Sequence, residues 1–202
     1  MLLTELAGVP AAALPVEALK AHLRLGTGFA DDALQDAIVE TYLRAAIAAI
    51  EGRTAKMLLA RGFRLMLEDW RDGGEQALPV APVVSVEAVR LVDGGGTEVV
   101  VDADRWRLVR DAHRPKLVAT GVMLPGVPAG GRVGGDFTAG FGAAWASVPP
   151  DLAQAVFLLA AEYHEMRHEG GLRQGEGLPQ AVQALIGRWR TVRSFGGRGG
   201  RR

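Results

Sequence analysis

The residues in this sequence that come closest to a catalytic pattern are His164-Glu165-Met166-Arg167-His168. On a helix, the pattern H-E-x-x-H places two histidines one turn apart on one face, where they can bind zinc while the glutamate polarises a metal-bound water. The longer metalloprotease motif carries a third histidine, but this sequence has Gln174 at that place, and no methionine follows Met166. A zinc metallopeptidase is therefore an alternative, and the favoured interpretation is an amphipathic helix end. We predict no catalytic residue, no metal and no cofactor.

The helix that would carry this motif is the most apolar helical stretch of the chain, Leu152–His168. Gln154 is the only polar side chain in its first ten residues. A helix that is apolar all round is expected to be buried all round. Pro149-Pro150-Asp151 form a favourable helix start, and Gly140 and Gly142 break the preceding strand. The pattern predicts a strand, a glycine elbow and a central helix around which the other elements pack.

Composition excludes several classes of protein. The chain has 202 residues, is 49% hydrophobic and contains no cysteine. The absence of cysteine excludes disulfides, thiolate catalysis and zinc sites built from cysteines. No apolar run reaches the roughly 18–20 residues that a membrane-spanning helix needs, so we expect no membrane association.

Two helices are predicted before the middle of the chain. Residues 15–25 form a short helix, and residues from about 31 to 52 form a long one with two apolar stripes. One stripe contains Leu34, Ile38, Ala45 and Ala49, and the other contains Val39, Leu43, Ile47 and Ile50. Two stripes require cover on two sides, either from the same chain or from a neighbouring subunit. We take Val39, Leu43 and Ile47 as candidate subunit contacts.

From about residue 62 the hydrophobic period changes from helical to alternating. Short strands separated by glycine and proline turns continue to residue 139, including a strand at Val83–Val92 that leads into a Gly94–Gly96 hairpin. The predicted fold class is α+β, a helical bundle core with an inserted small antiparallel β lobe. The predicted parts are N-terminal helices (1–61), the β lobe (62–139), C-terminal helices that complete the bundle (140–192) and a flexible basic tail (193–202).

The net charge of zero conceals an asymmetry. Residues 188–202 contain six arginines and no acid, which leaves a net charge of about −6 on residues 1–187. An acidic body with a basic tail favours a docking tail over a nucleic-acid-binding body. A small nucleic-acid-binding protein that acts through the arginine tail stays open as an alternative.

Several separated stretches together resemble the head-tail connector (adaptor) proteins of tailed bacteriophages. The matching stretches, in chain order, are Pro15–Leu25, the helix through Ile50–Thr54, Leu78–Val86, Phe137–Gly142, Val148–Leu152, Tyr163–Glu165 and Leu178–Leu185. Their order and spacing agree over about residues 14–192. Relatives of this family also occur in gene transfer agents, which are phage-like particles that package host DNA.

The resemblance implies a structural protein of the particle neck that has no catalytic site. The expected assembly is a homo-oligomeric ring, a dodecamer, between the portal protein and the tail-side stopper protein. Double-stranded DNA would pass through its channel without specific binding, and the chain would be made in the bacterial cytoplasm. The basic tail lies outside the matching pattern, and we take it as a candidate portal-docking segment. Its candidate docking residues are Arg193, Phe195, Arg198, Arg201 and Arg202.

Overall fold

A computed structural model describes residues 1–24, 32–166 and 177–190, with side chains from residue 35 onward in the second range. The described part contains four α-helices and eight strands, which confirms the α+β class. The helices are α1 (Val16–His22), α2 (Asp32–Thr54), α3 (Pro150–Met166) and α4 (Gln180–Ile186). The strands are β1 (Leu2–Glu5), β2 (Arg61–Leu67), β3 (Glu75–Ala77), β4 (Val83–Val92), β5 (Glu98–Val100), β6 (Trp106–Val109), β7 (Lys116–Ala119) and β8 (Arg132–Ala139).

The four helices enclose the first of two hydrophobic cores. Leu43 and Ile50 of α2 and Leu152 and Leu159 of α3 are almost completely buried against each other and their neighbours. Residues spaced by three, four or seven share one helix face, so the aliphatic spacing of α2 and α3 gives each helix a continuous buried side. The second core lies between two sheets, so the helices alone do not form the centre of the chain.

The larger sheet has the strand order β1-β2-β8-β4-β5 and is antiparallel throughout. Phe63 of β2 pairs with Phe137 of β8, and their rings stack with centroids 5.8 Å apart. Alternate residues of each strand point to opposite faces, which sends both rings to the buried face and Arg64 to the outer face. The edge strand β1 comes from a segment in which the sequence shows no clear pattern.

The smaller sheet has the order β3-β7-β6 and covers the buried face of the larger one. Leu117 of β7 and Leu65 of β2 are both buried in the core between the two sheets. The sequence did not predict the three-residue strand β3, which exists because its backbone pairs with β7.

The predicted glycine elbow between β8 and α3 is confirmed. Gly140 has a φ of +140°, and a Cβ atom on it would lie 2.4 Å from the backbone of Ala60. Only glycine fits where two backbones approach this closely. The Gly140 N–H donates to the Pro82 carbonyl at 2.9 Å, and the Ala60 N–H donates to the Gly142 carbonyl at 2.8 Å. These bonds fix the start of α3 against the segment that enters β2.

One prediction about α3 was only partly right. The side chains of Phe157 and Leu158 are half-buried and Gln154 is exposed, so one chain does not cover this helix on every side. Within the described ranges, no helix combines the length and apolarity that crossing a membrane requires.

Candidate assembly surfaces

The histidine motif contributes to helix packing where the structure describes it. The ring of His164 meets Tyr42 of α2 edge to face, with centroids 5.9 Å apart, while Glu165 is exposed. Arg167 and His168 lie outside the described residues. Among residues 1–24, 32–166 and 177–190 there is no cluster of three or more acids and histidines that could hold a metal ion. The described half of the motif therefore joins α2 to α3.

The proposed subunit contacts on α2 lie inside the chain. Val39, Leu43 and Ile47 are no more than 4% exposed, because α3 and its neighbours cover them. The structure thus identifies their stripe as the internal one. On the other stripe, Ile38 and Ala49 are only half-buried.

A band of aromatic side chains lies along the partly open side of α3. Phe157 stacks on Trp145 with centroids 5.7 Å apart, and its ring centroid is 5.8 Å from that of His22. All three lie at the rim of the helical core, where aromatic rings supply large contact area at small entropic cost. This band is a candidate contact surface that only the tertiary structure assembles, since its members come from three different segments.

The start of α3 anchors the last described segment of the chain. The Trp189 Nε1–H donates to Asp151 Oδ2 at 2.7 Å, and Arg188 pairs with the same oxygen at 2.7 Å. Burial raises the pKa of Asp151, but the hydrogen bonds from Trp189, Arg188 and the Leu152 N–H outweigh it and leave that pKa below its ordinary value.

The Trp189 ring also meets Phe141 of the elbow edge to face, at 5.5 Å between centroids. The chain is therefore held at residue 189, immediately before the arginine-rich tail begins. The five candidate docking residues of the tail lie outside the described residues, so the structure fixes only the point from which the tail starts.

A buried ion network joins the helices to the larger sheet. Arg61 of β2 donates to both carboxylate oxygens of Glu51 on α2, at 3.0 and 2.7 Å, and pairs with Glu5 of β1 at 2.8 Å. Glu51 also accepts the Leu58 N–H at 2.7 Å. Burial alone would lower the pKa of Arg61, but its two acidic partners outweigh burial and raise that pKa.

Lys56 is a second buried cation near this junction, but its surroundings differ from those of Arg61. The residue is 0% exposed, and its Nζ has no hydrogen-bond partner in the described part of the chain. Burial lowers the pKa of Lys56, and the charge of Asp111 opposes this only in part. An unpaired buried ammonium destabilises the fold, whereas a paired guanidinium at the same junction strengthens it.

The outer face of the larger sheet carries charges that neutralise one another. Asp136 of β8 accepts two hydrogen bonds from Arg64, at 2.7 and 2.9 Å, and also pairs with Arg90 of β4. Hydrogen bonds from Arg64 and then Arg90 hold the pKa of Asp136 below its ordinary value despite partial burial. Arg64 and Arg90 on this face are therefore already paired with a carboxylate.

Two surface features were missed at the sequence level. The loop before β8 projects Val122, which is 94% exposed, and Met123, which is 61% exposed. An apolar groove of about 470 Å³ opens where β1 and β2 meet the end of α2. The loop's sequence indicated only turns, because glycine and proline flank it. The groove needs residues from four segments, so no local pattern could indicate it.

Comparison with known proteins now adds to this geometry. No protein-family profile and no curated protein matches the chain. A solved structure of the neck of an empty gene transfer agent particle, computed with C6 symmetry, contains a chain with 60% identity and a TM-score of 0.88. The match covers 98% of this chain and 100% of that one.

Two further solved structures agree. A chain of the native gene transfer agent virion has 59% identity and a TM-score of 0.85, over 98% of this chain and 99% of that one. A chain in the neck of the native particle, computed with C12 symmetry, has 56% identity and a TM-score of 0.84, over 98% of this chain and 100% of that one.

The chain belongs to the family of gene transfer agent neck proteins. Identity of 56–60% and TM-scores of 0.84–0.88 over nearly the whole of both chains show that the fold is the same. Members of the family are structural components of a phage-like particle and are located in its neck. The expected place in a virion neck is thereby confirmed. The cyclic symmetry of the solved necks indicates a ring of identical subunits.

Proposed function

We propose that this neck protein is the head-tail connector (adaptor) subunit of a gene transfer agent or related phage particle. It forms a twelve-membered ring between the portal protein and the tail-side stopper, and that ring lines the DNA channel. The observation that carries the proposal is the full-length likeness to neck chains at 56–60% identity, one of them in a neck of C12 symmetry. The ordered resemblance to adaptor proteins along residues 14–192 supports the finer assignment.

The charge distribution suits a conduit for DNA. Residues 1–187 carry a net charge of about −6, and Arg64 and Arg90 on the outer sheet face are already paired with Asp136. An acidic body whose arginines are partly paired with acids neutralises few phosphates, so it has little salt-dependent affinity for DNA. Double-stranded DNA would then pass without specific binding.

The division of labour within the subunit follows the predicted parts. The two helical parts (1–61 and 140–192) enclose one of the two hydrophobic cores and present the aromatic band of Trp145, Phe157 and His22 to a neighbour. The β lobe (62–139) is inserted between the two helical parts. The basic tail (193–202) extends from the anchored Trp189 and docks on the portal. Arginine suits this role because its planar guanidinium pairs with carboxylates in a bidentate manner.

Loss of the chain tests the proposal directly. In a strain that lacks it, we expect DNA-filled heads without attached tails, and complementation should restore tailed particles that transfer DNA. Electron microscopy and a DNA-transfer assay measure the two outcomes. Normal tailed particles in the absence of the chain would refute the connector role.

A matched variant tests the enzyme alternative in the same assay. Glu165→Gln removes the carboxylate that a metallopeptidase would need, and the exposed side chain has no structural reason to require it. We expect unchanged DNA transfer. A loss of transfer from particles with normal necks would instead favour a catalytic role.

A tail deletion tests portal docking. Removal of residues 194–202 leaves the anchored Trp189 and should weaken association with the portal, more at low salt than at high salt, because charge pairs are screened by salt. Unchanged association at both salt concentrations would remove the tail from the portal interface.

A further inference from the structure

The ring on which the proposed function rests imposes a geometric requirement on each subunit. A closed ring of more than two copies is built from heterologous contacts, in which one patch of a subunit meets a different patch of the next. Each subunit must therefore carry two unlike and complementary surfaces. The described residues contain an apolar projection and a groove that could meet this requirement.

The projection is the loop tip formed by Val122 and Met123, which we call the knob. Its base is tightly held: the Leu124 N–H donates to the Gly73 carbonyl at 2.7 Å, and Trp70 Nε1–H donates to the Pro125 carbonyl at 2.7 Å. Val122 is 94% exposed although the backbone beside it is fixed. Rigid, exposed apolar side chains lose little entropy on docking, which is a property of contact sites.

The recess is the groove between α2 and the β1–β2 edge, which we call the groove. Its lining combines apolar side chains, including Ala48, Met57 and Phe63, with the ion network of Glu5, Arg61 and Glu51. Its volume of about 470 Å³ corresponds to about fifteen waters at ~30 Å³ each, enough for the tip of a loop. Filling it with apolar side chains would release that water and bury the walls.

The knob and the groove are separate surfaces of one subunit. Met123 lies over Gly73, beyond the last residue of β2, whereas the groove contains Arg61 and Phe63 near the start of the same strand. A contact between two different surfaces can continue from one subunit to the next around a ring.

The charges beside the two features are complementary. Arg71 lies two residues before the Gly73 that Met123 covers, and no acid pairs with it among the described residues. Glu5, Glu51 and Arg61 line the groove and form one ion network, in which two carboxylates share a single guanidinium and leave a net negative charge. Opposite charges at the rim of an apolar contact favour the correct orientation of the partners.

We infer that adjacent subunits of the neck ring are joined by the knob of one copy inserted into the groove of the next. The occupant of the groove is thus a second copy of this chain. Because the knob and the groove are different surfaces, every knob points to the neighbour on the same side, and the ring has a defined direction. It also explains why an apolar side chain is exposed on a rigid loop.

The cysteine-free sequence allows a direct cross-linking experiment. Val122→Cys combined with Ala48→Cys places one thiol on the knob and one in the groove, and a disulfide needs Cα atoms within about 7 Å. Particles with this double variant should give a ladder of covalent multimers after mild oxidation. A disulfide within one chain would leave a monomer and give no ladder.

A matched control uses the same helix. Ala37 is also exposed and lies eleven residues before Ala48, which is about 16 Å along the axis and close to the same face. Val122→Cys with Ala37→Cys should give no ladder. Necks that contain the chain but yield no ladder with Ala48→Cys, or an equal ladder with Ala37→Cys, would overturn the contact while leaving the connector role intact. Absence of the wild-type chain from necks would overturn both the contact and the connector role.

A charge substitution provides a second, independent measurement. Val122→Asp should fold normally because the side chain is exposed, but it should reduce incorporation into necks at least tenfold because burial of an unpaired carboxylate is unfavourable. Val99→Asp is the control, since Val99 is also exposed, at 61%, and lies on β5 away from the knob. Equal incorporation of both variants would contradict the inference.

Discussion

The helical half and the β half of this subunit bury their side chains by different means. Among the described residues, the buried helical core contains aliphatic residues and alanines but no aromatic ring. Its aromatic side chains, including Trp145 and Phe157, lie at the rim. The buried β core is instead built around the stacked rings of Phe63 and Phe137.

This difference determines what each half offers to a partner. Small aliphatic residues let α2 and α3 approach closely, and the large rings that do not fit between them form a broad, half-covered band. In the β half the rings fill the space between two sheets, so apolar exposure is limited to edges and loop tips such as Val99 and Val122. The helical half therefore offers a partner a broad apolar band, whereas the β half offers separate exposed apolar side chains.

The largest effect on stability is predicted for the ion network at the junction between the two halves. Glu51→Ala leaves the guanidinium of Arg61 and the Leu58 N–H without their main acceptor, and loss of one partner of a buried ion pair costs about 3–5 kcal/mol. We expect one cooperative unfolding transition at a lower denaturant midpoint, measured by circular dichroism in urea. Two separate transitions would show that the halves are independent. Glu40→Ala on the same helix, which removes a more exposed pair with Arg44, should cost about 0–1 kcal/mol.

The internal stripe of α2 should carry the next largest effect. Leu43→Ala removes a completely buried side chain from the helical core and should lower the free energy of unfolding by about 2–5 kcal/mol. Ile38→Ala on the half-buried stripe should cost clearly less. If Leu43→Ala and Ile38→Ala lowered the stability equally in thermal unfolding, both stripes would be internal to one chain, which would contradict the burial described above.

The indole nitrogens of Trp189 and Trp106 allow one hydrogen-bonding group from each half to be compared. Trp189→Phe, in the helical half, removes a hydrogen bond to the charged Asp151 and should cost about 1.5–3 kcal/mol. Trp106→Phe, in the β half, removes a buried N–H that has no partner among the described residues, so the loss should be smaller. Paired melting curves test this, and a larger loss at Trp106 would be the opposite result.

The smallest predicted effect is a gain. Lys56→Met replaces an unpaired buried ammonium and should stabilise the fold by about 1–3 kcal/mol at pH 7. Because burial lowers the folded pKa of Lys56 below 10.5, the unfolded chain holds more protons between the two pKa values. Wild-type stability should therefore rise with pH through that window, and this contribution should vanish in Lys56→Met. Denaturant melts of both proteins at about pH 7 and about pH 10 measure this contribution. If the variant kept the pH dependence of the wild type, Lys56 would not be its source.

Long periodic segments were predictable because their signal is local. The sequence predicted a strand at Val83–Val92 with the bounds that the structure has, and it placed a glycine elbow before the central helix. The alternation of a strand and the 3.6-residue period of a helix are both visible in neighbouring residues. The elbow was visible because Gly140 and Gly142 interrupt that alternation.

The candidate surfaces were much less predictable. Both stripes of α2 look equally apolar in the sequence, and only the packing of α3 decides that Leu43 is internal. Val122 is one of several hydrophobic residues in a glycine- and proline-rich loop, and nothing in that sequence indicates that hydrogen bonds from Leu124 and Trp70 hold the base of the loop. Such features depend on residues that are distant in the chain.

By itself, the sequence determined the kind and order of the longer elements, the acidic body and the basic tail. Those properties follow from composition and from short-range periodicity, which any folded arrangement must satisfy. The tertiary structure alone decided that β1 and β3 are strands, that Arg61 reaches Glu51 and that a groove opens beside them. The physical reason is that a short strand, a buried ion pair and a groove are each formed by partners brought together from separate segments, and no single segment contains the energy that stabilises them.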